Sequence, residues 1–236
     1  MTLIGSDGAV TRSQKTLGIA LVAHDRMHTR TALDLTRLCS YQTAMMRDQV
    51  VLNHHGGTVL SEARQSAAKE LLEAGCTHIL YVDSDMAFPP YAAERMMQHD
   101  VPVVAANCSK RVRPLGVTAR IKGGPEDDSN QPLWPVKGEE GLVKVETVGT
   151  ALMMVKAEVF TQIEWPWFSQ PWYEETERFV GEDVFFCGRL AQADIPVMVD
   201  QGLSWQVRHI GEYRYGMQDV LDEKAAMDAG LWENAL

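Results

Sequence analysis

The sequence lacks any long apolar run. The longest near its start, Leu17 to Ala23, falls far short of the roughly 20 residues a helix needs to cross a bilayer. No basic-then-apolar leader precedes it, so neither a membrane span nor a signal peptide is expected, and the expected compartment is the cytoplasm. Cysteine is scarce. Cys39, Cys76, Cys108 and Cys187 form no Cys-x-x-Cys pair and have no His at zinc-finger spacing, which leaves reduced core thiols as the expectation. Positive charge is short as well: 22 Lys and Arg against 32 Asp and Glu give a net charge of -10. That balance argues against a broad footprint for nucleic acid or anionic membrane, which needs clustered cations. Only a local basic stretch, Arg111, Arg113, Arg120 and Lys122, stands against it. No internal repeat is present.

What is there fits one α/β domain. The chain has 236 residues, of which 45% are hydrophobic and 23% charged. Residues 1–15 are polar and aperiodic and read as a tail, residues 16–211 as the domain, and residues 212–236 as a C-terminal segment. Leu17 to Ala23 reads as a strand buried on both faces, and residues 30–46 have helical spacing. Val50 to Leu52 reads as a strand, Ser61 to Ala74 as a helix stopped by Gly75, and His78 to Val82 as a third strand. A helix is expected from Pro89 and Pro90 to Gln98, then a strand over Val101 to Ala105. The alternation predicts βαβ units around a mostly parallel sheet. Residues 122–141, rich in Gly, Pro and acidic groups, read as a long loop or hairpin. Val143 to Val155 reads as strand broken at Gly149, Lys156 to Ile163 as a short helix and Gly181 to Ala193 as a helix. Val197 to Val199 and Ser204 to Val207 read as strands, and Val220 to Leu231 as an amphipathic terminal helix.

Chemistry concentrates in Ile79-Leu80-Tyr81-Val82-Asp83-Ser84-Asp85, where two carboxylates follow a buried strand. Ligands bind at the carboxyl ends of parallel strands, and hard oxygen donors there can chelate Mg²⁺ or Mn²⁺ against a nucleotide diphosphate. A chain this rich in aspartate holds about one Asp-x-Asp by chance, so a solvated acidic turn is the competing reading. Gly181-Glu182-Asp183 opens a helix after Trp165, Trp167, Trp172 and Tyr173. A carboxylate there can take the proton of an attacking hydroxyl and the aromatic rings can stack on a sugar; an acidic N-cap over core tryptophans is the alternative. His209, in Arg208-His209-Ile210-Gly211, offers an imidazole that favours Mn²⁺ over Mg²⁺.

The order ILYVDSDMAFPP, VGTALMMVKAEVF, GEDVFFCGRL, WQVRHIG resembles the GT-A glycosyltransferases, most closely small ones from bacteriophages and bacteria. The resemblance covers roughly residues 17–211. It implies a GT-A, Rossmann-like mixed sheet, a UDP-sugar donor and Mn²⁺ or Mg²⁺. It places Asp83 near ribose or metal, Asp85 and His209 on the metal, and Asp183 or neighbouring Glu182 as acceptor base. It also places Gly149 and Thr150 along the donor sugar and Arg64 near the donor, with a surface ion pair as the alternative for Arg64; Lys110 and Arg111, after the fourth strand, can meet phosphate or acceptor, with a solvated basic turn as the simpler account. The acceptor implied by phage relatives is a hydroxymethylated pyrimidine in DNA; a surface glycan or a protein side chain is the alternative. A dehalogenase-type phosphatase is disfavoured because its motif sits on the first strand, and a sugar-nucleotide-binding module without turnover is the non-enzymatic reading. Donor sugar, stereochemistry and oligomeric state are not encoded in these motifs.

Overall fold

The computed structural model describes residues 3–4, 10–11, 15–57, 59–112, 114–123, 129–211 and 214–229. The strands used below are β1 (Thr16–Val22), β2 (Gln49–His55), β3 (His78–Asp83), β4 (Met86–Ala87) and β5 (Val103–Ala105). They continue as β6 (Leu142–Val145), β7 (Leu152–Lys156), β8 (Val197–Asp200), β9 (Arg208–Ile210) and β10 (Arg214–Tyr215). The helices are α1 (Thr29–Tyr41), α2 (Leu60–Glu73), α3 (Ala92–Gln98), α4 (Glu182–Gln192), α5 (Gln201–Ser204) and α6 (Met217–Asp228).

Seven strands form one mixed sheet in the order β6-β8-β5-β7-β3-β1-β2. Strands β8, β5, β3, β1 and β2 run one way, while β7 and β6 oppose their neighbours. The sheet is therefore mostly parallel, with helices on both faces in a single domain. Strand alternation explains why. Along β3, Ile79 and Tyr81 enter a core with Ala67, Leu71, Phe168 and Phe186, whereas Leu80 and Val82 enter the opposite core with Leu35, Leu38, Met86 and Met96. A strand buried on both faces must be apolar throughout, and each such side chain contributes about 1.5–3 kcal/mol by leaving water. Gly18 lets α2 approach the sheet, because a Cβ there would lie 2.9 Å from Cys76 Sγ and 3.0 Å from Leu71 Cδ2. The four cysteines are free, and burial pushes the Cys108 and Cys187 thiols up to about 12.

Several elements differ from the sequence reading. The stretch Val143 to Val155 is two strands, not one interrupted strand: β6 lies at the sheet edge beside β8, and β7 lies between β5 and β3. Ser204 to Val207 is not a strand. The Asp200 carboxylate accepts the Leu203 N–H at 2.9 Å and caps α5, so the strand starts only at Arg208. Helix α1 stops at Tyr41 and passes into a π-helical turn, Gln42–Met46, closed by Arg47 in the left-handed region at φ 57°. Within the segment read as a tail, Leu3–Ile4 pairs with Val10–Thr11. The expected loop carries a hairpin, Arg120–Lys122 with Asn130–Pro132, and residues 124–128 lie outside the described residues. The terminal helix begins at Met217, and its Met217 and Val220 pack on Leu115 and Val117; the expected end at Leu231 lies outside the described residues. Among the described residues no helix is long and apolar enough to cross a membrane.

Candidate functional site

Strands β1 and β3 are parallel neighbours, so Ala23-His24 and Asp83-Ser84-Asp85 leave the sheet along the same edge. Between them and Gly57 and Leu60 lies an open cavity of about 420 Å³. Past Asp85 the chain forms β4, which pairs with β9 in a second, three-stranded sheet. His209 stands opposite Met86 in that pairing, and the Ile210 N–H donates to the Asp85 carbonyl at 2.7 Å. These backbone contacts bring the late imidazole to the strand tip: His209 Nε2 is 3.3 Å from Asp85 Oδ1.

The other ring nitrogen fixes the tautomer. His209 Nδ1 lies 2.9 Å from the Ser109 carbonyl, which can only accept, so Nδ1 carries a proton. In the neutral ring Nε2 then turns a lone pair toward a carboxylate oxygen. Two acceptors facing each other at that range need a cation or a proton between them. Arg111 supplies the other positive charge, its Nη1 2.6 Å from Asp85 Oδ2. Burial pushes the Asp85 carboxyl up, but where a proton fills that gap the resulting His209 hydrogen bond, together with the Arg111 charge, outweighs it and holds the group below the usual carboxylate range.

A second cluster lies beside the first. Arg64, on α2, is 2% exposed; its Nε donates to Glu182 at 3.2 Å and its Nη2 to Asp83 at 3.1 Å. Its remaining nitrogen, Nη1, is buried without a hydrogen-bond partner. The surface ion pair weighed from sequence is thus an interior bridge that ties the tip of β3 to the start of α4. Glu182 is buried and also accepts from Gln170 at 3.4 Å. Asp183 is half-buried, and one of its oxygens accepts the Val184 N–H at 2.8 Å at the positive end of α4.

The turn before β7 joins this edge. The Asp83 N–H donates to the Ala151 carbonyl at 3.0 Å. Next to Ala151, Thr150 is 2% exposed with its hydroxyl unpartnered, and Gly149 packs on Thr118, where a Cβ would come within 3.2 Å. Lys110 is exposed and its backbone N–H donates to the Gly116 carbonyl at 2.8 Å, while the next residue, Arg111, meets Asp85. Of the aromatic stretch, Phe168 stacks on Phe186 and Trp167 leans on Phe160, while Trp165 is exposed. Trp172 and Tyr173 are also exposed and pair with Arg178 and Phe179 in a short hairpin. Sequence reasoning did not find Gln170 or the Ser109 carbonyl. A main-chain carbonyl leaves no mark in residue type, and Gln170 lies in a loop without periodicity.

Among the described residues no group of three or more His, Cys, Asp and Glu is arranged to hold a metal. The protein offers Asp85 and His209, while Asp83, read as a further ligand, is turned to Arg64. One carboxylate and one imidazole with their facing lone pairs suit a divalent ion that completes its shell from phosphate oxygens and water, and do not suit a closed protein cage.

No family model matches the sequence, and no curated protein matches it. Among solved structures, the crystal structure of A197 from STIV is similar with a TM-score of 0.55 and 16% identity, over 87% of this chain and 92% of that one. GalNAc-T7, crystallised with UDP, GalNAc and Mn²⁺, is similar with a TM-score of 0.52 and 12% identity, over 85% of this chain and 43% of that one. At these identities the likeness is one of fold: the mixed seven-stranded sheet with its flanking helices is the GT-A, Rossmann-like architecture.

Proposed function

We propose that this chain is a metal-dependent glycosyltransferase that moves a sugar from a nucleotide-sugar, a UDP-sugar, to an acceptor hydroxyl. One observation carries the reading: His209 Nε2 and Asp85 Oδ1 face each other 3.3 Å apart at the mouth of the strand-edge cavity. The GT-A fold supports it, and so does the UDP and Mn²⁺ found with GalNAc-T7.

Asp85 and His209 would hold Mn²⁺ or Mg²⁺, and the ion when bound supplies positive charge to the departing diphosphate. The protein's own residues do the remaining work. Arg111, already against Asp85, adds charge to the phosphate side of the cavity. Arg64 holds Asp83 and Glu182 in place and keeps its Nη1 N–H groups for the donor. The Thr150 hydroxyl and the Gly149 turn line the same edge, where the unpartnered hydroxyl suits a donor sugar oxygen.

Two carboxylates open α4, and the bridge to Arg64 favours the second as the base. Glu182 is spent on Arg64 and buried, so Asp183 is the group that takes the proton from the acceptor hydroxyl. The acceptor side is framed by the exposed Trp172 and Phe179, whose rings meet edge-on at 5.2 Å next to the start of α4. Glu174, Glu175 and Glu177 on that hairpin favour a glycan over the phosphate-rich DNA that phage relatives suggest. The deciding assay is nucleotide release across a panel of sugar nucleotides with Mn²⁺, with chelator and with Asp85→Ala. Release only with metal and only in the wild type is expected, and full activity of Asp85→Ala would overturn the assignment. Binding of UDP-sugar with no release for any acceptor would instead identify a module without turnover.

A further inference from the structure

A second cavity, of about 380 Å³, shares no residue with the strand-edge cavity. Arg208 and Ile210 alternate with His209 along β9, so they project from the face of the small sheet opposite the imidazole. Together with Ala87 of β4, with Phe88, Pro89 and Pro90, and with Arg30 and Arg37 of α1, they enclose this space. Among the described residues its lining holds three arginines against one acid, Asp34, in a chain whose net charge is -10.

The arginines are pre-arranged. Asp34 is 2% exposed and accepts from Arg30 Nε at 2.7 Å, from Arg37 Nη1 at 3.4 Å and from the Phe88 N–H at 3.3 Å. Arg208 Nη1 donates to the carbonyls of Trp205 at 2.6 Å and Val207 at 2.9 Å. A guanidinium has five N–H donors, so each of these is anchored by one side and keeps donors for a ligand. Planar forks of this kind match phosphate oxygens, and an anchored fork loses less entropy on binding than a free one. The half-buried Pro89 and Pro90, backed by the buried Phe88, give a ring an apolar surface to lie on, and the volume suits a small metabolite.

We propose that this cavity binds a phosphomonoester, the phosphate held by Arg30, Arg37 and Arg208 and the attached ring resting on the two prolines. The site is independent of the transferase reading, because neither Asp85 nor His209 lines it.

The test titrates glucose 1-phosphate, uridine monophosphate and inorganic phosphate, without divalent cation, into the wild type, Asp85→Ala, Arg37→Gln and Arg30→Gln/Arg37→Gln. Calorimetry gives the affinity and amide NMR shifts give the location. Both substituted arginines are at least half exposed, so these variants should fold, which their thermal melts check. At least one phosphate compound is expected to bind the wild type and Asp85→Ala alike, to shift the Ala87, Phe88 and Ile210 amides, and to lose tenfold or more in affinity in the double variant. Tighter binding of glucose 1-phosphate or uridine monophosphate than of inorganic phosphate would identify the ring on the apolar wall. The proposal is overturned if none of the probes saturates, if affinity is the same in the double variant, or if binding vanishes in Asp85→Ala, which would place the anion at the strand tip.

Discussion

Arg64 meets Asp83 at 3.1 Å with its guanidinium almost wholly buried, so the first carboxylate of the Asp-x-Asp pair is held from the interior, not from solvent. The same guanidinium reaches Glu182 at the start of α4. Two segments far apart in sequence are therefore fixed by one cation.

Removing that cation leaves Glu182 buried and unmatched and takes from Asp83 its interior partner. Arg64→Ala is expected to lower stability by about 3–5 kcal/mol, the usual cost of leaving one side of a buried pair unmatched. Urea unfolding gives the number. Arg64→Lys should recover only part of it, because an ammonium lacks the fork that reaches both acids. A loss below about 1 kcal/mol would mean the bridge is not formed in solution.

The two neighbouring acids of α4 should separate cleanly. Asp183→Asn is expected to cut kcat by 100-fold or more while leaving donor affinity near wild type, a loss typical of a missing general base. Glu182→Gln should act chiefly on stability, through Arg64. Steady-state kinetics beside thermal melts distinguish them, and a Glu182→Gln variant that melts normally but turns over as poorly as Asp183→Asn would reverse the roles.

Metal binding should be visible without turnover. Mn²⁺ with UDP is expected to raise the melting temperature of the wild type, since a ligand that binds only the folded chain stabilises it by mass action. His209→Ala and Asp85→Ala should lose that increment. An unchanged increment in His209→Ala would remove the imidazole from the metal site.

Acid should weaken the fold at one identifiable position. Burial, reinforced by Lys15 and Lys156, lowers His78 from its usual 6.5 to about 4, so the folded chain keeps this ring neutral. Below pH 6.5 the unfolded chain gains a proton there that the folded chain refuses. The stability tied to His78 is therefore complete above pH 6.5 and is lost as pH falls toward about 4. Unfolding free energies measured across this window should fall less steeply in His78→Gln; identical slopes would contradict the burial argument.

Much of the sheet was readable because its signals are local. The apolar stretches at Leu17 to Ala23 and Ile79 to Val82 are the inner strands β1 and β3, and Gly75, at φ 77°, ends α2 where a residue without a side chain was expected. Misreadings occurred where a distant partner decides. Val143 to Val155 has one strand-like texture, yet its halves occupy separate places in the sheet, and texture carries no information about neighbours. At Ser204 the decisive group is the Asp200 carboxylate, which caps Gln201–Ser204 as a short helix.

By itself, the sequence determined the mostly parallel α/β sheet and the arrival of two carboxylates at the end of a buried strand, because side-chain periodicity and a strand's exit are properties of neighbours along the chain. Only the tertiary structure decided which residues answer those carboxylates: His209 and Arg111 for Asp85, Arg64 for Asp83, and the same Arg64 for Glu182 at the start of α4. Such choices depend on distances of a few ångströms between separate segments of the chain, Arg64 and Glu182 being 118 residues apart. Those distances are set by strand pairing and core packing, not by any local preference of the residues themselves.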